Sequence, residues 1–222
     1  MSSSLADSRV AVVGAGVAGA ALTRALLEEG AAVHVFDKSR GPGGRLATRR
    51  VAWIDAAGRA RTTAFDHGAP CFSARDGAFR SAVAQAVQAG VLTTWQPRLH
   101  PQSMPWSDAD QGSAHFVAAP TMPLWCRHLV AGATTHWQCT VQALRHSARG
   151  WVIEGEGAMP DETFDSVVLA LPPAQAVPLL GAHEREWAQR ASLMVMQPCW
   201  TLMGVSAPVP SLRGWDIARP EA

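Results

Sequence analysis

RVAVVGAGVAGAALTRALLEEGAAVHVFDK, residues 9–38, decides the fold. Val10 to Val13 is a short apolar run suited to a parallel strand buried on both faces. A helix is predicted over residues 20–29, with Leu22, Ala25 and Leu26 at helical spacing and Gly30 placed as a C′ residue that stops it. Val33, Val35 and Phe36 resume a strand, so the stretch reads as a βαβ unit.

Between the first strand and the helix, GAGVAG sets Gly14, Gly16 and Gly19 in G-x-G-x-x-G register. Gly14 permits a tight turn, Gly16 lets the backbone approach a pyrophosphate, and Gly19 lets the helix pack close to the strand. Helix-terminal N–H groups and the positive end of the helix dipole then face the phosphates. Asp37 closes the second strand, where a carboxylate accepts both ribose hydroxyls of an adenosine and disfavours a 2′-phosphate. Thr23 stands where a smaller residue is common at the helix–sheet contact, which predicts slightly weaker packing.

Directly after Asp37 comes a second glycine knot, KSRGPGGR. Gly43 and Gly44 let the backbone pass close to a ligand, Arg45 can neutralise a diphosphate that a helix dipole only partly satisfies, and Arg40 adds long-range attraction. The alternative is a solvated arginine loop.

Composition narrows the function classes. The chain has 222 residues, 48% of them hydrophobic, and a formal net charge of +1. A packed core is expected, and with no run of like charge to track a phosphate backbone, nucleic acid is not an expected partner. Lys38 is the only lysine and tyrosine is absent. Cys71, Cys126, Cys139 and Cys199 lie far apart without a CxxC pair, no HExxH occurs, and His128 and His136 are too far apart to share a helical turn. No metal site and a reducing, cytoplasmic setting are expected. The N-terminal apolar run is broken by three glycines and followed by Arg24, Glu28 and Glu29, so neither a signal peptide nor a membrane span is expected.

Further along, residues 51–72 suggest short strands and turns. Residues 75–89 suggest a helix with Phe79, Val83, Ala86 and Val87 on one face and Gly90 at its end. Residues 96–115, with Pro97, Pro101, Pro105 and Gly112, suggest a long surface loop. Thr121 is placed to cap a short helix through Val130, Pro123 being tolerated in its first turn. Strands are predicted near Val141, at residues 151–153 and at 166–171, the last ended by Pro172 and Pro173. A polar helix over 183–191 and a strand over 198–205 complete the pattern.

Several separated segments, RVAVVGAGVAGAALTRALLEEG, FDKSRGPGGRLATRR, FDHGAPCFSARDGAFR, FDSVVLALPPAQAV and PCW, together resemble the bacterial renalase-like proteins within the wider amine-oxidase-type group of FAD enzymes. The resemblance runs from about Arg9 to about Val205. It implies an α/β fold in which a Rossmann-type FAD-binding domain is joined to a second, incomplete and mainly antiparallel β substrate domain. Residues 1–72 and 131–180 would form the FAD-binding half, 73–130 a partly helical substrate-side segment, and 181–222 the start of the substrate-domain sheet.

For the site, the resemblance implies pyrophosphate contacts at Gly14, Ala15, Gly16, Ala18 and Gly19, and a ribose acceptor at Asp37 with Lys38 beside it. It makes Gly43, Gly44, Arg45 and Leu46 a second FAD-binding element, with Arg45 on a phosphate. Gly68, Ala69, Pro70 and Cys71 would line the flavin, Val141 would meet the adenine through its backbone, and Ala170 and Pro172 would border the cofactor from the sheet. Pro70 and Cys71 replace the family's usual glutamine and aromatic, which removes a side-chain donor and a ring beside the flavin. Such proteins continue for about another hundred residues, so the chain is expected to stop within its substrate domain.

The activity implied is oxidation of dihydronicotinamide compounds, with hydride passing to flavin and electrons on to oxygen. An amine substrate is the alternative within the enzyme class, and a non-catalytic dinucleotide-binding remnant is the alternative outside it. His67 reads either as an acid, base or flavin-steadying group, or as a strand histidine bonded to nearby backbone. Cys71 lacks a Cys–His–Asn framework, and Trp200 reads as core or substrate-facing.

Overall fold

A computed structural model describes residues 5–101, 103, 114–207 and 214–218. In chain order the elements are β1 (Arg9–Val13), α1 (Val17–Glu28), β2 (Ala32–Asp37), a 3-10 turn (Gly44–Leu46), β3 (Thr48–Ile54), β4 (Ala60–Asp66), β5 (Phe72–Ser73), α2 (Gly77–Gln88), β6 (Leu92–Trp95) and β7 (His115–Ala118). Then follow α3 (Pro123–Leu129), β8 (Thr134–Trp137), β9 (Thr140–Ser147), β10 (Gly150–Glu156), β11 (Ser166–Leu169), α4 (Pro173–Leu180) and α5 (Arg185–Ser192). They form two compact units, one of Met1–Ala47 with Pro123–Trp200, the other of Thr48–Met122 with Thr201–Ala222.

The first unit is built on a four-stranded sheet of order β11-β1-β2-β8, with every pairing parallel. Val10 to Val13 are all buried, as an apolar run in a central parallel strand must be. Each fully buried Val or Phe here contributes about 1.5–3 kcal/mol by leaving water. Helix α1 turns Gly19, Ala20 and Thr23 inward. Thr23 is fully buried, and its hydroxyl donates to the Gly19 carbonyl at 2.8 Å, so the odd hydroxyl at this contact is satisfied within its own helix. From the same helix, Arg24 donates to the carbonyls of His128 (2.8 Å) and Ala131 (3.2 Å), satisfying acceptors at the end of α3.

The β9–β10 hairpin, bulged between Glu154 and Gly155, lies on this sheet through Ala11, Phe36, Cys139, Ile153 and Phe164. Phe164 is tied to β10 by reciprocal backbone bonds with Trp151 of 2.7 and 2.8 Å, which leads the chain into β11. Pro172 and Pro173 do end β11, but Pro173 also opens α4, a helix the sequence reading did not foresee. A proline at a first helical position loses no hydrogen bond, so the same pair stops a strand and starts a helix.

The second unit is antiparallel. β3 and β4 form a hairpin registered from Thr48↔Asp66 to Ile54↔Ala60, and a separate sheet has the order β5-β7-β6. Helix α2 starts at Asp76, whose carboxylate accepts the Phe79 N–H at 3.0 Å, and it buries Val83 and Ala86. The mixed α/β architecture, with a parallel sheet in the first unit and antiparallel pairings in both, is the expected fold class.

The strand expected over 198–205 is not formed. Residues 194–206 have no regular structure, with Trp200 and Leu202 97% and 100% exposed, so Trp200 is not core. An apolar run becomes a strand only with a ladder partner, and none stands beside it among the described residues. Of the loop expected over 96–115, residues 102 and 104–113 lie outside the described residues. No described helix is long and apolar enough to cross a membrane.

Candidate functional site

The first unit gathers its candidates at the carboxyl ends of β1 and β2, the place where open parallel sheets hold ligands. The chain leaves β1 at Gly14, whose N–H donates to the Phe36 carbonyl at 2.8 Å, and α1 begins after Gly16. Gly16 offers no side-chain cap, so the first N–H groups of α1 stay available to an acceptor from outside the helix. Gly19 must be glycine, because an added Cβ would overlap the Gly14 carbonyl oxygen and stand 3.1 Å from the Ala170 Cβ. Ala170 itself donates to the Val13 carbonyl at 2.8 Å and walls the turn from β11. Ala18 is exposed on the first helical turn.

The second glycine knot is stitched to the first. The Gly43 N–H donates to the Ala15 carbonyl at 2.9 Å, and Gly16 and Gly43 pair as an isolated parallel bridge. Gly44 has a φ of +52°, and a Cβ there would come within 2.9 Å of the Gly16 Cα, so only glycine lets the two loops approach this closely. Leu46 is buried and anchors the 3-10 turn. Arg45, on the same turn, is exposed and makes no side-chain hydrogen bond or ion pair among the described residues.

Asp37 joins the two knots. One carboxylate oxygen accepts the Ala15 N–H and the other the Ser39 N–H, both at 2.8 Å. Each oxygen retains a lone pair for a further donor, such as a ribose hydroxyl. Ala15, with its N–H and carbonyl both engaged, shapes the turn through its backbone. Lys38 reaches Gln175 of α4 at 3.3 Å. The β8–β9 turn is fastened behind Asp37, with Cys139 N–H donating to the Asp37 carbonyl at 3.0 Å and Gln138 N–H to the Ser39 carbonyl at 2.9 Å. Val141 follows two residues later in β9, packed against the Phe36 cluster, and Pro172 caps the start of α4.

In the second unit, Gly68, Ala69, Pro70 and Cys71 connect β4 to β5. Asp66, just before them, accepts from the Thr48 hydroxyl and from the Met122 N–H. His67 accepts the Thr201 hydroxyl on its carbonyl at 3.0 Å, while its ring Nδ1 is buried without a partner. The expected hydrogen bond from this ring to nearby backbone is therefore not made through Nδ1. Among the described residues it is the sole buried side-chain polar atom left so, where such atoms are nearly always satisfied.

No disulfide joins the cysteines, and burial pushes the Cys126 thiol up to about 11, which makes it structural. The described residues hold no group of three or more metal-ligating side chains. Sequence reasoning missed a contact on the other face of the sheet, where His34 Nδ1 lies 3.1 Å from His136 Nε2 and His34 Nε2 lies 3.6 Å from a Glu162 carboxylate oxygen.

A family model described as an NAD(P)-binding Rossmann-like domain matches residues 12–86. A curated relative, the tRNA 5-methylaminomethyl-2-thiouridine biosynthesis bifunctional protein MnmC of Magnetococcus marinus, is 27% identical over 73% of this chain and 29% of its own length. Among solved structures, a protoporphyrinogen oxidase-like protein from Exiguobacterium sp. 255-15 superposes with a TM-score of 0.52 at 11% identity, covering 83% of this chain and 64% of that one. The chain thus spans less than a third of the curated relative, and the structural likeness is one of fold.

Proposed function

We propose that the chain binds FAD and belongs to an oxidoreductase of the amine-oxidase-like group, with a dihydronicotinamide as reductant and oxygen as electron acceptor. The observation that carries the reading is the pair of glycine loops hydrogen-bonded to each other under an exposed arginine. A glycine turn at a helix terminus accommodates a diphosphate, and a second loop locked against the first, bearing an uncommitted guanidinium, adds a charge-assisted donor for that diphosphate, as the resemblance implies for FAD.

The residues present suit that group. A Cβ at Gly19 or Gly44 would push backbone apart, so the close loop–loop approach depends on bare glycine. Gly16 to Gly19 would hold the diphosphate, Arg45 would neutralise it, and Asp37 would take the ribose hydroxyls while its other lone pairs hold the turn. When bound, FAD supplies the hydride acceptor, and two electrons and two protons then reduce oxygen to hydrogen peroxide. Support for the substrate class comes from the family resemblance of the motifs.

The test is the absorption spectrum of the purified protein, followed by anaerobic titration with a reduced nicotinamide. Retained flavin that bleaches and recovers with air supports the reading. Colourless protein that cannot be reconstituted with FAD rejects it.

A further inference from the structure

The histidine contact on the hairpin-covered face of the sheet has no part in the cofactor reading, yet it sits behind the residue that reading assigns to the ribose. His34 comes from β2 and His136 from β8, and the parallel register that pairs Phe36 with His136 sets them on one face. Their rings stack at a centroid distance of 5.3 Å, His136 stacks on Phe36 at 4.5 Å, and Phe164 meets His34 edge-on at 5.1 Å. Glu162, two residues before Phe164, faces the outer nitrogen of His34 at 3.6 Å.

One proton can be shared along this row. With His34 doubly protonated, Nδ1–H donates to the His136 Nε2 lone pair and Nε2–H faces the carboxylate. A second proton, on His136, would set two N–H donors against each other across 3.1 Å, and the contact must open. Burial, and then the neighbouring His34, hold the His136 imidazole below its ordinary value of 6.5, against the opposing pull of Glu162.

We propose that Glu162, His34 and His136 form a proton-operated latch that ties β2 to β8 and to the segment between β10 and β11, and so positions Asp37, with mild acid opening the row and weakening capture of an adenosine ribose. The connection is short. β8, which carries His136, runs directly into Gln138 and Cys139, the two residues whose N–H groups hold the carbonyls of Ser39 and Asp37. Of the other ionisable groups on the packed elements, Asp165 accepts the Arg9 N–H and Asp37 accepts those of Ala15 and Ser39, each at 2.8 Å. Arg145 pairs with Glu154 and Glu156 with Gln142 across the hairpin, and the Cys139 thiol donates to the carbonyls of Trp137 and Ala158. His146 and His183 flank Trp151, with His183 bonded to the Leu144 carbonyl at 2.7 Å.

The sign follows from the lowered value of His136. The unfolded chain takes up the proton first, near 6.5, so stability is full above that pH and declines as the pH falls toward 5. The experiment is the melting temperature from pH 7.5 to 5, for the parent chain and for His136→Gln, Glu162→Gln and the control His183→Gln. His136→Gln should flatten the acid decline. Glu162→Gln removes the carboxylate that opposes the shift and should deepen it, on a half-exposed residue whose replacement leaves the core intact. His183→Gln should keep the acid decline of the parent chain.

The coupling to Asp37 rests on the cofactor reading and is tested with ADP as the probe. Its affinity should drop several-fold more between pH 7.5 and 5.5 in the parent than in His136→Gln. Parallel melting curves for parent, His136→Gln and Glu162→Gln overturn the latch, as does an ADP pH response unchanged by His136→Gln. If ADP binds at neither pH, the cofactor reading fails, and the melting curves still decide the latch.

Discussion

The Asp37 carboxylate accepts the Ala15 N–H at 2.8 Å, so the residue expected to read a ribose also holds the glycine turn in shape. Strand β2 and the β1–α1 turn are thereby coupled before any ligand arrives. Asp37→Asn keeps one acceptor oxygen but turns an NH2 group toward one of the two backbone donors. The expected result is a loss of about 1 kcal/mol in a denaturant titration, together with a narrower preference for ADP over 2′-phospho-ADP in competition binding. Unchanged stability with an unchanged preference would detach Asp37 from both roles.

Arg45 is a test of function with little structural background, because its side chain has no partner among the described residues. Arg45→Ala should leave the melting temperature of the unliganded protein where it is and weaken FAD or ADP binding about ten- to a hundredfold, the worth of one charge-assisted hydrogen bond of about 1.5–3 kcal/mol. Equal flavin retention by the two proteins would return the second knot to a solvated loop.

Gly44→Ala should destabilise the first unit by about 1–3 kcal/mol, because a Cβ there meets the Gly16 backbone at 2.9 Å and neither chain has slack to yield. Chemical denaturation followed by circular dichroism measures it. Gly41→Ala, a change with nothing within 4 Å of the new Cβ, is the matched control and should be close to neutral.

Helix α2 should fray in acid. The Phe79 N–H, then those of Ala78 and Gly77, hold the Asp76 carboxyl below its usual value of 3.8, so the cap is at full strength above that pH and is lost as the pH falls through the lowered value. Amide exchange at Phe79, corrected for intrinsic rate, should accelerate below pH 4 in the parent. In Asp76→Ala it should be fast at every pH.

Thiol labelling at pH 8 should separate the cysteines. Cys199 is exposed and should alkylate readily, whereas Cys126, pushed up to about 11 and buried, should react only on unfolding. Modification of Cys126 in the native protein at a rate near that of Cys199 would show that α3 is not packed as described.

The βαβ start was legible because its signals are local. An apolar run, three spaced glycines and a terminal acid each act within a few residues, and Gly30 stops the helix by its own backbone freedom. What escaped was decided at a distance or by a residue with two uses. Pro172 and Pro173 read as a terminator, and the same missing N–H let Pro173 begin α4. The run from Pro198 to Val205 has a strand's composition, but composition supplies no partner strand. His34 and His136 stand 102 residues apart and meet only through the β2–β8 register, which neither local stretch encodes. The site followed the same division. Gly14, Gly16, Gly19 and Asp37 were legible as a motif, whereas the Gly43–Ala15 bond that unites the two knots depends on where the second loop folds back.

The place of β1 in its sheet bears on how the chain is made. Arg9 bonds through its N–H to Asp165 at 2.8 Å, a partner 156 residues downstream, and β1 lies between β2 and β11. During synthesis, the βαβ start leaves the ribosome with one side of its central strand unpaired, and with Arg24 waiting for carbonyls on α3. At about 5–20 residues per second, that apolar edge stays open for roughly 8 to 30 s before β11 emerges. The cradle therefore closes only once β11 arrives, although its glycine motif is translated well before that strand.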